Sequence, residues 1–341
     1  MSSEAASGER RSGPAPQVFA GVDIGGTKTA VTLSCDLPHV LVRVEFPTFP
    51  ELGPIQAVDR IVSCISELLR SGGFNRTDLL SIGISCGGPL DRHRGIIQAP
   101  PNLSTWQDVP ITGVLHEAFG VRCLLDNDAN AGAVAEYRFG AGRGTSNMIF
   151  LTMGTGIGAG IILNGQLFRG STDTAGEIGH VRLTPSGPIG HNKAGSVEGW
   201  ASGNGMAQAA ASAVALAVEA GESTSLASLW KSNGLTARAI GSAARDGDSV
   251  ARRIIALTGD RLGQTLAILV DLLNPDCIVI GGLAMRLGDL LLAPARKSLV
   301  REALPVAAGR CRVVPALLGE SIGDIAALCV ASGLTLEEKA V

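Results

Sequence analysis

Twice in this chain a short apolar, β-branched run breaks at a cluster of glycines and resumes as a second such run. The first is VFAGV, then Asp23-Ile-Gly-Gly-Thr-Lys28, then AVTLS; the second is NMIFLT, then Met153-Gly-Thr-Gly-Ile-Gly-Ala-Gly160, then IIL. Each reads as two strands joined at a hairpin tip where backbone must approach something closely. Gly25, Gly26 and Thr27 in one tip, and Gly154, Thr155 and Gly156 in the other, can offer N–H groups and a hydroxyl to a phosphate. Lys28 ends the first tip, and Asp23 on the strand before it can hold Mg²⁺ through water. The first tip is not G-x-x-x-x-G-K-[ST] and no helix follows it, so it is not a P-loop. Taken singly, each also reads as a tight turn between strands. Together, more than a hundred residues apart, they point to a nucleotide held between two similar halves.

Composition narrows the class. The 341 residues are 45% apolar and 17% charged, with a net charge of −3, which suits two packed lobes and argues against disorder. No basic stripe is present, so a nucleic-acid partner has little support. Seven scattered cysteines, with no C-x-x-C pair, read as buried thiols in a reducing cytosol. Residues 1–16 are polar and small, with no signal-peptide core, and are expected to be a disordered leader. No apolar run is long enough to span a bilayer, so a soluble, cytoplasmic protein is expected.

Between the strand-like runs lie helical patterns at Ile55–Leu69, Ala129–Tyr137 and Ala251–Leu273, the last stopped by Asn274-Pro275 before a strand at Cys277–Ile280. Strands alternating with helices give an α/β expectation. The expected organisation is an N-terminal α/β lobe over 17–130 and a C-terminal α/β lobe over 131–319. A helix over 320–335, with Ile322, Ile325, Leu328 and Cys329 at helical spacing, returns to the first lobe.

Three further motifs carry chemistry. Asp126-Asn127-Asp128 precedes a helix; one of the three suffices for a cap, leaving a carboxylate that can take a proton from an attacking hydroxyl. Gly176-Glu177-Ile-Gly-His180 and Val197-Glu198-Gly-Trp200 supply side chains suited to binding sugar hydroxyls. Strand Cys277–Ile280 ends in Gly281-Gly282, where a flat ring can lie on the backbone.

Together these residues resemble the ROK family of repressors, uncharacterised frames and kinases. The resemblance runs over about residues 18–335 through DIGGTK, PNLSTWQDVP (101–110), DNDANAGAVAE (126–136), TMGTGIGAGIILNGQLFRGSTDTAGEIGH (152–180) and NPDCIVIGG. It implies the actin-like, ribonuclease H-like ATPase fold, two lobes with ATP and sugar in the cleft between them. By position, it implies Asp128 as catalytic base and Asn127, Glu177, His180 and Glu198 as sugar ligands, with Gly88 and Asn102 as further sugar contacts. It places the nucleotide phosphates at the two glycine tips and adenosine at Gly281–Gly282. The implied reaction is ATP-dependent phosphorylation of a hexose, glucose first, with N-acetylmannosamine, N-acetylglucosamine, fructose and allose as alternatives. A homodimer is a further implication.

One departure stands out. Many family members hold a structural zinc with His plus Cys-x-Cys-x₄-Cys ahead of the glutamate matching Glu198. Here those cysteine positions are Ile189, His191 and Ser196, and of the usual four ligands only His180 remains; no zinc is expected. The family's repressors carry a DNA-reading domain ahead of the sugar-binding part, and a DIGG strand starting at Val18 is expected to leave no room for one. A non-catalytic sugar-binding regulator is the alternative of another class.

Overall fold

A computed structural model describes residues 17–334; residues 1–16, expected as a leader, lie outside it, as do 335–341. Strands β1 (Val18–Ile24), β2 (Lys28–Ser34), β3 (Val42–Pro47) and β4 (Leu79–Cys86) are followed by a small hairpin, β5 (Leu90–Asp91) and β6 (Ile96–Ile97), and by β7 (Arg122–Asn127). The second half contributes β8 (Met148–Met153), β9 (Ile157–Leu163), β10 (Gln166–Phe168), a small hairpin of β11 (Ile189–Gly190) and β12 (Lys193–Ala194), then β13 (Cys277–Ile280) and β14 (Arg312–Pro315).

The two large sheets share one plan. The first runs β3-β2-β1-β4-β7 and the second β10-β9-β8-β13-β14. In each, the opening three strands form an antiparallel meander, and the last two strands run parallel to the first. The inner parallel strands β1, β4 and β13 are mostly apolar and buried, as strands covered on both faces require. This duplicated α/β plan is the actin-like ATPase fold.

Two helices join the halves. Asp128–Phe139 begins directly at the end of β7 but packs on the second sheet: a Cβ on Gly160 of β9 would fall 2.2 Å from the Ala129 carbonyl oxygen. Ile322–Ala331, the last described helix, packs on β1 and β4, where a Cβ on Gly83 would fall 2.1 Å from the Ala331 nitrogen. The two helices also meet each other through Ala131, Val134, Ile325, Cys329 and Val330. Their contacts are small side chains against backbone, which sets a close and defined spacing. Fully buried Glu136 adds a polar tie, accepting from the amides of Ala141 (2.7 Å) and Leu318 (2.9 Å).

The helices expected at 55–69, 129–137 and 251–273 are Pro54–Ser71, Asp128–Phe139 and Ser249–Leu273. The last stops at Asn274 in a left-handed conformation (φ 44°) before Pro275. Among the described residues no helix is long and apolar enough to cross a membrane.

Candidate active site

Both glycine-rich segments are hairpin tips. Between β1 and β2 the chain turns over Gly25–Lys28, closed by Gly25 N–H donating to the Lys28 carbonyl (3.0 Å). Thr48, just after β3, braces this tip: its hydroxyl donates to the Gly25 carbonyl (2.7 Å) and its amide to that of Thr27 (3.1 Å). The tip between β8 and β9 turns on Gly154–Gly156, and Gly154 and Thr155 are exposed. A Cβ at Gly154 would meet nothing within 4 Å, whereas one at Gly26 would fall 2.6 Å from Asn102 Cβ. Gly26 is therefore needed where Asn102 packs on the loop. Gly281–Gly282 lies beside the second tip: Gly282 has φ 60°, and a Cβ there would fall 2.1 Å from the Met153 carbonyl oxygen.

Three consecutive residues at the end of β7 take three different tasks. Asp126 is buried and holds Arg169 from the second half through two hydrogen bonds, 2.9 and 2.6 Å. Asn127 caps the following helix, its Oδ1 accepting from Ala129 (3.0 Å) and Asn130 (3.3 Å). That use of Oδ1 leaves the amide nitrogen as the group Asn127 can offer a ligand, and this nitrogen lies against Gly88. Asp128 opens onto the cleft. Its carboxylate pKa is raised by the surrounding protein and by the charge of Glu177, against the lowering effect of the Ala129 N–H.

Asp23 is the penultimate residue of β1, close enough to Asp128 for their charges to interact. Burial pushes its pKa up to about 7, with the charges of Asp128 and Asp324 adding to the effect and a hydrogen bond from Ser85 and the charge of Lys28 opposing it. Gly323 makes room for this carboxylate: a Cβ there would fall 2.2 Å from Asp23 Oδ2. Asp324 is itself paired with Arg43 (2.7 Å), which reaches Glu45 (2.5 Å), which reaches Lys28 (2.8 Å). Further carboxylates near Asp23 suit a hard divalent cation such as Mg²⁺. No group of three or more His, Cys, Asp or Glu that could hold a metal ion is present among the described residues.

Of the residues expected to bind sugar, Glu177 and His180 are three positions apart in sequence, with Oε2 3.7 Å from Nε2. Glu198 sits between this segment and the second glycine tip, its Oε2 accepting from the Ile157 amide (3.3 Å). Asn102 lies against the first glycine tip. Residues at the expected zinc positions do not suit that metal. Ile189 has no donor atom, and the Ser196 hydroxyl is engaged with Gly190 O (3.3 Å) and Gly199 N (3.1 Å). His191 lies ring to ring with His180 at 4.4 Å, and two imidazoles do not close a tetrahedral site.

Sequence reasoning did not single out Arg169, Asp324 or Arg43. Asp324 carried a signal: it is the one charged side chain in the apolar run IGDIAALCVA.

A sequence model of the ROK family matches residues 19–333. The chain belongs to the ROK family. One relative in this family, the glucokinase of Halalkalibacterium halodurans, is 34% identical over 309 residues, covering 90% of this chain and 92% of that one. A ROK family glucokinase from Streptomyces griseus, solved with glucose and AMPPNP, superposes with a TM-score of 0.77 at 31% identity, covering 93% of this chain and 99% of that one. A ROK family transcriptional regulator, a homologue of the E. coli MLC protein, superposes with a TM-score of 0.81 at 25% identity, covering 94% of this chain and 79% of that one.

Proposed function

We propose that this chain is an ATP-dependent sugar kinase that transfers the γ-phosphoryl group of ATP to the 6-hydroxyl of glucose. The observation that carries this reading is the convergence of Asp128 and Asp23, from two strand ends of one sheet, in a cleft flanked by two glycine hairpin tips. Asp128 takes the hydroxyl proton as the sugar oxygen bonds to phosphorus and the bond from phosphorus to the β,γ-bridging oxygen breaks, releasing ADP. Its raised pKa makes it a better proton acceptor than an ordinary carboxylate. Amides of the two tips bind phosphate oxygens, and Asp23 would hold Mg²⁺. When bound, the cation neutralises charge on the β- and γ-phosphate oxygens.

Asn127 donates from its amide to a sugar oxygen, while Glu177, His180 and Glu198 orient the remaining hydroxyls. Most of the rate enhancement comes from this positioning, because phosphoryl transfer asks little covalent chemistry of the protein. The likeness to an MLC-type regulator favours a second reading, sugar binding without catalysis. Intact phosphate tips and the Asp23–Asp128 pair support the kinase. A panel of hexoses with ATP and Mg²⁺, read by ADP release, separates them: sugar binding with no hexose-dependent ADP release would favour the regulator. Asp128→Asn is expected to lower kcat by at least ~10²-fold while leaving calorimetric glucose affinity within a few-fold.

A further inference from the structure

Residues 184–196 run beside His180 and Glu198, yet only Gly190, Gly195 and Ser196 among them are buried. No apolar side chain of this segment enters the core, so its position depends on hydrogen bonds and backbone geometry rather than burial. It folds as the β11–β12 hairpin across His191 (φ 46°) and Asn192 (φ 59°), the positive-φ pair of a two-residue hairpin turn.

We infer that Lys193 and Gln208, neither of them among the expected ligands, are positioning residues for the sugar side of the cleft; this rests on the kinase reading above. Gln208, on the helix Gly203–Glu219, grips Ile189 at two points: its Oε1 accepts from the Ile189 amide and its Nε2 donates to the Ile189 carbonyl, both at 2.9 Å. Lys193, on the returning strand, donates from Nζ to the His180 carbonyl at 2.7 Å. One strand of the hairpin is thus fixed to a helix and the other to the backbone of His180. Between these anchors the hairpin touches both expected sugar ligands. The His191 ring meets the His180 ring edge-on at 4.4 Å. Gly190 is pressed so closely on the helix bearing Glu198 that a Cβ would fall 2.7 Å from Glu198 Cβ. Loosening either anchor shifts the surfaces that back His180 and Glu198, while the first glycine tip, braced by Thr48, and Asp128, at the end of β7, are held by other contacts.

The test compares wild type with Gln208→Ala and Lys193→Met, two variants so that the loss of one to misfolding leaves the other. Each removes hydrogen bonds of modest individual strength. The glucose KM is expected to rise about 5- to 10-fold, with kcat and the ATP KM within about twofold and Tm within about 2 °C of wild type. Calorimetric glucose Kd, measured without nucleotide, rises by the same factor. An unchanged glucose KM in both variants, in an enzyme whose wild type phosphorylates glucose, would sink this inference and leave the kinase reading standing. Parallel losses in glucose KM, ATP KM and Tm would also overturn it, by making the contacts general supports of the lobe. A wild type that neither binds nor phosphorylates a hexose would sink both.

Discussion

Arg169→Met removes the cation from a pair that crosses between the two halves at the end of β7, next to Asp128. Asp126 is 2% exposed and Arg169 8% exposed, and two hydrogen bonds of 2.9 and 2.6 Å join them. Removing one partner of such a buried pair costs about 3–5 kcal/mol, because the remaining charge stays desolvated. For a chain of 341 residues this corresponds to a fall in Tm of roughly 4–7 °C. Removing both charges, in Asp126→Asn with Arg169→Met, leaves neither ion of this pair buried and is expected to recover more than half of the loss. The kinetic effect follows from the same atoms. Asp126 Oδ1 also accepts from the Asn127 amide (2.8 Å), so freeing it loosens the turn that presents Asn127 and Asp128. A shift of that kind is expected to lower kcat by roughly 10- to 100-fold. Urea and thermal denaturation read the first effect, and steady-state turnover with ATP and glucose reads the second. An Arg169→Met protein melting within 1 °C of wild type, or a double variant no more stable than the single, would refute the reasoning.

Asp23→Asn is expected to abolish turnover yet stabilise the fold at alkaline pH. The wild-type carboxyl, with a pKa raised from 3.8 to about 7, binds its proton more tightly when folded. Its stabilising contribution is therefore complete below about pH 4 and lost as the pH rises to about 7, so the variant's advantage grows across that window to at most about 4 kcal/mol. Urea denaturation at pH 5 and pH 8 checks this, and an equal difference at both values contradicts it. Gly154→Val, whose Cβ meets open space, should keep the fold and weaken ATP binding more than glucose binding, whereas Gly26→Val should also lower Tm because it collides with Asn102. Calorimetry and melting curves distinguish the two. Prolonged chelation followed by restoration of Mg²⁺ is expected to leave activity intact, and metal analysis to find no stoichiometric zinc; His180→Ala should then weaken sugar binding more than it lowers Tm.

The glycine tips, the strand before Gly281 and the four helical stretches were legible because each is a local pattern: apolar spacing, followed by residues that permit a sharp turn. Asn127 as the cap was one of three readings that the motif allowed, and geometry selects it. What the chain did not disclose are contacts between distant segments. Arg169 reaching Asp126 and Arg43 reaching Asp324 join residues 43 and 281 positions apart, and no periodicity marks such partners. Strand β3, with its half-exposed alternation in VRVEFP, was too short and too charged to separate from a loop. The hairpin at 189–194 was hidden for another reason: its fixed position comes from backbone contacts with Gln208 and Lys193, not from any apolar signature.

The packing of helix Ile322–Ala331 on β1 and β4 also bears on how the protein is made. The strands of the first sheet are all synthesised by residue 127, but the helix that covers them follows nearly two hundred residues later. At the pace of translation this is a delay of roughly 10–40 s. Through that interval the nascent first half can pair its strands but cannot close its apolar face, and Gly83 awaits the helix that fits against it. The second sheet gains its own last strand, β14, only a few residues before that helix. Both halves therefore reach completion almost together, and a ribosome stalled anywhere between them holds a chain with one sheet face bare to chaperones and to neighbouring nascent chains.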